Sequence, residues 1–341
     1  MVGSRILAPF VGTSIFVWTS IIGIILASLS IGYTLGGRLA DKNPREKTLA
    51  EILFIGGLLI TVIAMVKIPV LTTLTNLISS IKLNSILLAI ILFAVPSMIL
   101  GTVSPYAIRL KMKSVSTSGK TVGNLYALST IGSIVGTFLA GFFLLSFMGS
   151  THILYLLTAV LFINSFIASP KTFGKSKILI TVLIMLLGFF TNANSIQTAR
   201  GEVLTFDSDY NHVWIFEDND YYTGKPIRRM MINANNSSAM FTEEGKQDEL
   251  VFPYTKFYDL ADYFNPEISN ALLIGGAGYS YPKHFIKEHP EAILDVVEID
   301  PKLTALAKEY FGLEESPNLQ ISHEDGRIFL NQNQKTYDAI Y

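Results

Sequence analysis

Cysteine is absent from the 341 residues, which excludes disulfides and thiolate metal sites. Charge is scarce too: Asp, Glu, Lys and Arg make up 16% of the chain, and between Thr121 and Pro170 there is none. The formal net charge is -1 and the C-terminal half has no basic cluster, which excludes nucleic acid as a partner, since that demands a concentrated cationic face. The five histidines show no metal-ligand spacing. His284 and His289, five apart on an expected helix, do not share a face, so no metal is expected. The opening MVGSRILAPFVG shows no basic start, apolar core and small-residue cleavage site of a secretory signal, and the closing YDAIY reads as a strand in mid-sheet. Both ends are expected to be cut points in a longer protein.

Half of the residues are hydrophobic and the mean hydropathy is +0.43, too apolar for an ordinary soluble domain. The apolar residues concentrate in residues 1–197. Six stretches are long enough, or nearly so, to cross a bilayer as helices: 12–35, 49–67, 84–108, 122–148, 151–168 and 178–194. Helix is the conformation expected for each, because lipid offers no partner to backbone groups. Small residues recur every fourth position at Ser28, Gly32 and Gly36, and again at Ser129, Ser133, Thr137 and Gly141 beside Gly132, Gly136 and Ala140. Both series are expected to let neighbouring helices approach closely. The span centres carry no charge, which disfavours ion-coupled transport. Basic residues crowd the loops 36–47, 109–120 and 171–177, Lys113 among them, and the positive-inside rule puts these in the cytoplasm. Arg5, Lys67, Lys82 and Arg200 are left on the other side, where six spans would also place residues 200 onward.

The remainder has the patterns of a water-soluble fold. Residues 200–268 read as a small antiparallel β unit, with EVLTF, HVWIF and RRMMIN as strands and DNDYYTGKP as a turn. Residues 248–264 read as an amphipathic helix, with Pro253 better suited to its first turn than to its interior. Residues 269–341 alternate strand and helix, which implies a parallel sheet. ALLIGG, AILDVVEID, LQISHE and YDAIY are its strands, and Asp300 and Pro301 open the second helix.

In such a sheet a ligand lies beyond the carboxyl ends of the strands, where glycines admit the backbone and an acid about twenty residues on accepts ribose hydroxyls. Gly275, Gly276 and Gly278 with Glu298 satisfy that arrangement. Reading from Gly276, the third glycine of the dinucleotide fingerprint is Tyr281, which points to a cofactor with one nucleoside and no phosphates rather than NAD. Asp325, before Gly326, is placed either to meet an adenine amino group or simply to cap a helix.

ALLIGGAGYSYP, VVEIDP, HEDGRIFL and YDAIY together resemble the spermidine synthase (polyamine aminopropyltransferase) family, and the apolar half resembles that family's bacterial membrane-fused form. The loop GGRLADKNPREK resembles one in major facilitator transporters, or is simply a basic loop obeying charge asymmetry. The resemblance implies a multi-pass helical membrane bundle, a small β-hairpin unit and an incomplete α/β Rossmann-like domain of the S-adenosylmethionine-dependent methyltransferase type. It implies S-adenosylmethionine or its decarboxylated form as donor substrate and an amine or polyamine as acceptor. Glu298 would hold the ribose, Asp325 and Gly326 the adenine, and Gly275 and Gly276 the turn beneath the sulfonium arm. Tyr210 and Asn211 match the family's Tyr-Gln pair, and Asp248 with Glu249 its acidic pair on the substrate side. The family's turn aspartate has no equivalent in GGAGYS, Phe252 and Pro253 replace a Tyr-His, and the base-bearing aspartate is expected beyond Tyr341. Residues 1–341 alone are therefore expected to bind donor weakly and to catalyse nothing. Methyl transfer, or nucleoside and polyamine binding without catalysis, stay open as alternatives. The bilayer is the other partner implied, at a multi-pass cell-membrane location, and association with further copies of the chain is left open.

Overall fold

The computed structural model describes every residue except 43, 79, 113, 115–117, 173, 191–194, 199, 200 and 234. Lys113 and Arg200 lie outside the described residues. The chain divides into two compact units, Met1–Ala193 and Asn194–Tyr341.

The first unit is helical throughout: α1 (Val2–Val11), α2 (Ile15–Lys42), α3 (Glu46–Leu77), α4 (Ile81–Lys111), α5 (Ser118–Leu144), α6 (Ser150–Ala168) and α7 (Lys175–Phe190). Among the described residues, α2 to α6 are long and apolar enough to cross a membrane. The sixth expected span, 178–194, coincides with α7, of which 16 residues are described; its last four expected residues, 191–194, lie outside the described residues. Within α4 a π-helical turn at Ile90–Ala94 precedes Pro96, which cannot donate a backbone hydrogen bond.

The two small-residue series fare differently. Gly32 and Gly36 sit where α2 meets α4: a methyl on Gly36 would stand 2.5 Å from the carbonyl oxygen of Thr102, and one on Gly32 would strike Met98 O. The series on α5 has little to pack against: none of that helix's described residues is buried, Gly132 and Gly136 face open space, and a methyl on Gly141 would meet Met1 Cε at 4.0 Å. Pattern alone does not distinguish a contact face from a lipid-facing one.

Along α3 and α6 the packing is polar as well as apolar. Phe54 and Phe162 stack at 4.8 Å, Thr61 and Thr158 hydroxyls meet at 3.2 Å, and Ser165 Oγ donates to Ala50 O at 2.6 Å. The expected span 49–67 ended at Lys67, but α3 continues to Leu77 and carries Lys67 inside it. The buried ammonium donates to Ser150 Oγ at 3.1 Å and Thr151 Oγ1 at 2.7 Å.

The second unit opens with an antiparallel meander of five strands: β1 (Ser195–Thr198), β2 (Gly201–Asp207), β3 (His212–Asn219), β4 (Pro226–Ile232) and β5 (Asn235–Phe241). Alternation buries Val213 and Ile215 of β3, which join Met230 and Met240 in a core with Leu303, Leu306 and Phe311. This is a sheet rather than a hairpin. The amphipathic helix expected over 248–264 is shorter. Leu250 and Val251 are buried in non-helical chain, and helix begins only at α8 (Pro253–Lys256) and continues through a 3-10 turn into α9 (Leu260–Phe264). The residue before a proline resists the helical region, and Phe252 is extended.

A parallel sheet follows in the order β8-β7-β6-β9, built from β6 (Asn270–Ile274), β7 (Ile293–Val297), β8 (Leu319–Ser322) and β9 (Ala339–Ile340). The helices between them are α10 (Ser280–Glu288), α11 (Pro301–Tyr310) and α12 (Gly326–Gln332). Alternating strand and helix thus gives a Rossmann-like parallel sheet.

Gly36→Leu is expected to destabilise the membrane unit by about 1–3 kcal/mol through overpacking. Gly132→Leu, facing open space, should be near neutral; thermal melting of the two variants in detergent checks the contrast.

Candidate functional site

The site grows from the turn after β6. Its buried apolar strand delivers Gly275 at φ 92°, a left-handed conformation that suits glycine, and Gly275 N–H donates to Val297 O at 2.8 Å. The chain then curls so that the N–H groups of Gly276 and Ala277 converge on one oxygen of Glu298, Oε2, at 2.8 and 3.0 Å. The other oxygen, Oε1, accepts Asp300 N–H at 3.0 Å. The sequence therefore brings the glycine turn and the acid 22 residues later into direct contact.

Gly278 N–H donates to Ser238 Oγ of β5 at 2.9 Å, and a methyl at 278 would come within 2.6 Å of Ser238 Cβ. Glycine is required there because the antiparallel sheet comes so close.

Next stands Tyr279, held left-handed at φ 56°. Its fully buried ring lies against Gly276, whose added Cβ would be 2.5 Å from it. Its hydroxyl pairs with Thr304 Oγ1 at 2.7 Å, and Thr304 Oγ1 with His323 Nε2 at 2.9 Å. Burial pushes the phenol up to about 12. Tyr279 thus links the turn after β6 to α11, the helix that follows β7, and through it to His323 just after β8. Glu298 and Asp300, which follow β7, are buried as well.

Asp300 does two things. Its Oδ1 accepts Lys302 N–H at 3.1 Å, capping α11, and its Oδ2 accepts Asn211 Nδ2 at 3.1 Å and the hydroxyl of Ser208. Asn211 also accepts from Asn233 Nδ2 at 3.1 Å, so the loop between β2 and β3 is clamped to the end of β7. Tyr210 beside it is exposed. Asp325 Oδ1 accepts Arg327 and Ile328 N–H at 2.9 and 3.2 Å, the geometry of a helix cap, while Gly326 lies close to Ile274. Asp248 faces away, toward Lys283 at 3.9 Å and Lys287 at 3.6 Å, and Glu249 is exposed. His284 and His289 stand beside Asp259 and Asp262 at 3.3 and 3.2 Å.

A cavity of about 80 Å³ opens against Gly275, Gly276 and Ala277. Rings of Phe252, Tyr254, Tyr258 and Tyr281 contribute to its walls, with the hydroxyl residues Ser238, Thr255 and Ser280. Tyr258 and Tyr281 meet edge to face at 5.0 Å. Neither Asp248 nor Glu249 lines it.

Sequence reading missed Ser208, Ser238, Tyr279, Thr304 and His323. Only Tyr279 left a signal, as a bulky residue directly after the glycines; the others depend on pairings across elements.

No family model matches the chain. A polyamine aminopropyltransferase of Vibrio vulnificus is 27% identical over 126 residues, covering 36% of this chain and 40% of that protein. One from Alkaliphilus metalliredigens is 31% identical over 80 residues, covering 22% and 28%. Over these segments the chain is similar to polyamine aminopropyltransferases. It spans less than half the length of these relatives. A crystal structure of a probable spermidine synthase from Corynebacterium glutamicum aligns at 22% identity over 38% of this chain and 46% of that one, with a TM-score of 0.32.

Glu298→Gln is a direct probe of the turn. An amide sets an NH2 group against at least one of three backbone N–H groups, at an expected cost of about 2 kcal/mol, measurable by denaturant unfolding.

Proposed function

We propose that the chain is a membrane-anchored, spermidine synthase-like transferase whose donor is S-adenosylmethionine or its decarboxylated form and whose acceptor is an amine. The observation that carries this reading is the carboxylate of Glu298 seated on the amides of Gly276 and Ala277 at the carboxyl edge of a parallel sheet, where an adenosine sugar is received in folds of this kind. The similarity to polyamine aminopropyltransferases supports it. The donor supplies a carbon activated by a sulfonium, and the protein's task is to hold an amine nitrogen in line with it and to keep that nitrogen unprotonated.

Glu298, Gly275, Gly276 and Gly278 are the proposed donor-side residues, with Asp325 and Gly326 at the adenine end. Tyr279 is packed against Gly276 and bonded to Thr304, so a donor seated on the turn would require its ring to turn aside. The cavity at the turn favours a second reading, methyl transfer from S-adenosylmethionine itself, because no acid pair stands there to orient a polycation.

Calorimetric titration of the full chain and of Tyr279→Ala with both donors tests the proposal. Tighter binding of the decarboxylated donor supports aminopropyl transfer, and tighter binding of the plain donor supports methyl transfer. The variant is expected to bind its donor at least about tenfold more tightly. Absence of binding by both proteins would overturn the reading.

The side of the second unit is part of the same reading: a soluble donor is available on the cytoplasmic side, and five crossings, α2 to α6, support that side, whereas a sixth at α7 would reverse it. As the chain has no native cysteine, a single Tyr221→Cys label reports this directly. Tyr221 is 89% exposed. It should resist an impermeant maleimide in intact cells and react in inverted vesicles.

A further inference from the structure

We infer that the cavity at the glycine turn binds a monoamine, a single amino group on a short apolar chain, and discriminates against diamines and polyamines. This rests on the transferase reading for its place in a reaction, but as a binding site it stands on its own geometry.

Three observations carry it. Among the cavity's described lining residues there is no Asp, Glu, Lys, Arg or His. The nearby acids are placed elsewhere: Asp248 faces Lys283 and Lys287, Asp259 faces His284, Glu249 is exposed, and Glu298 behind the turn is answered by three backbone N–H groups. A second ammonium entering this space would lose its water and find no carboxylate side chain on the cavity wall, which is costly for a buried charge. Ring faces and hydroxyl groups suit an uncharged amine on a hydrocarbon chain.

The hydroxyls are also set for the right role. Thr255 Oγ1 donates its proton to Phe252 O at 2.7 Å, and Ser280 Oγ donates to Ala239 O at 2.9 Å. With their protons committed, these oxygens retain lone pairs, and the group they suit is an N–H donor. An amine in a low-dielectric enclosure whose walls carry no anionic side chain, the nearby Glu298 being already bonded to three backbone N–H groups, is held in its neutral form, the form that carries a free lone pair. The cavity abuts Gly275, Gly276 and Ala277, the residues whose amides meet Glu298 or β7, so an occupant lies beside the proposed donor position.

The test compares n-propylamine with 1,3-diaminopropane, probes of equal length that differ by one amino group, titrated calorimetrically into the full chain in detergent. Propylamine is expected to bind at least tenfold more tightly. Its apparent affinity should rise about tenfold per pH unit between about pH 7 and about pH 9, as the neutral fraction grows. Tyr254→Ala, which removes one half-exposed wall ring, should weaken propylamine at least fivefold while leaving the melting temperature in place. Equal or tighter binding of the diamine, or an affinity indifferent to Tyr254→Ala, would overturn the inference. The donor titration is independent: donor binding without propylamine binding defeats only this inference, and propylamine binding without donor binding defeats only the transferase reading.

Discussion

The second unit is organised around one buried anion. Glu298 is almost completely removed from water, and an isolated carboxylate in that position would be strongly destabilising. Three backbone N–H groups, from Gly276, Ala277 and Asp300, answer it. Hydrogen bonds to a charged group are each worth roughly 1.5–3 kcal/mol. The same contacts fix the curl of the glycine turn relative to the end of β7, so the donor-side backbone is shaped before any ligand arrives. Preorganisation of this kind limits the ordering that binding would otherwise require.

A second layer of polar contacts transmits that geometry outward. Asp300 caps α11 and also holds Ser208 and Asn211, which joins the meander to the parallel sheet at the edge where the site lies. Ser238 reaches the turn from β5, and Arg228 Nη1 donates to Tyr310 O at 2.8 Å at the far end of α11. The two sheets therefore share one core, with Leu303, Leu306 and Phe311 between them. Tyr279 fits into this arrangement with its ring against Gly276 and its hydroxyl completing a chain to Thr304 and His323. Under the proposed function, donor access and the integrity of that chain are coupled.

The membrane unit obeys a different rule, since lipid provides no hydrophobic drive between helices. Close backbone approach at Gly32 and Gly36, and hydroxyl-to-backbone bonds such as Ser165 to Ala50, take that place. The ammonium of Lys67 is accommodated by two hydroxyls at the start of α6, so α3 extends well beyond the apolar run in the sequence.

Local pattern determined the helical character of the first half, the alternation of the second, the Asp300 cap and the positions of the glycines. Each of these depends on residues within a turn or a strand of one another, where periodicity and backbone freedom act. Tertiary structure alone decided which small-residue face packs and that Asp248 turns toward lysines rather than to the cavity. It also decided that Tyr279 packs on Gly276 and bonds to Thr304, and that no charged side chain is among the described lining residues of the cavity at the turn. Those outcomes depend on which distant side chains compete for the same space and the same hydrogen bonds, and one-dimensional spacing carries no record of that competition.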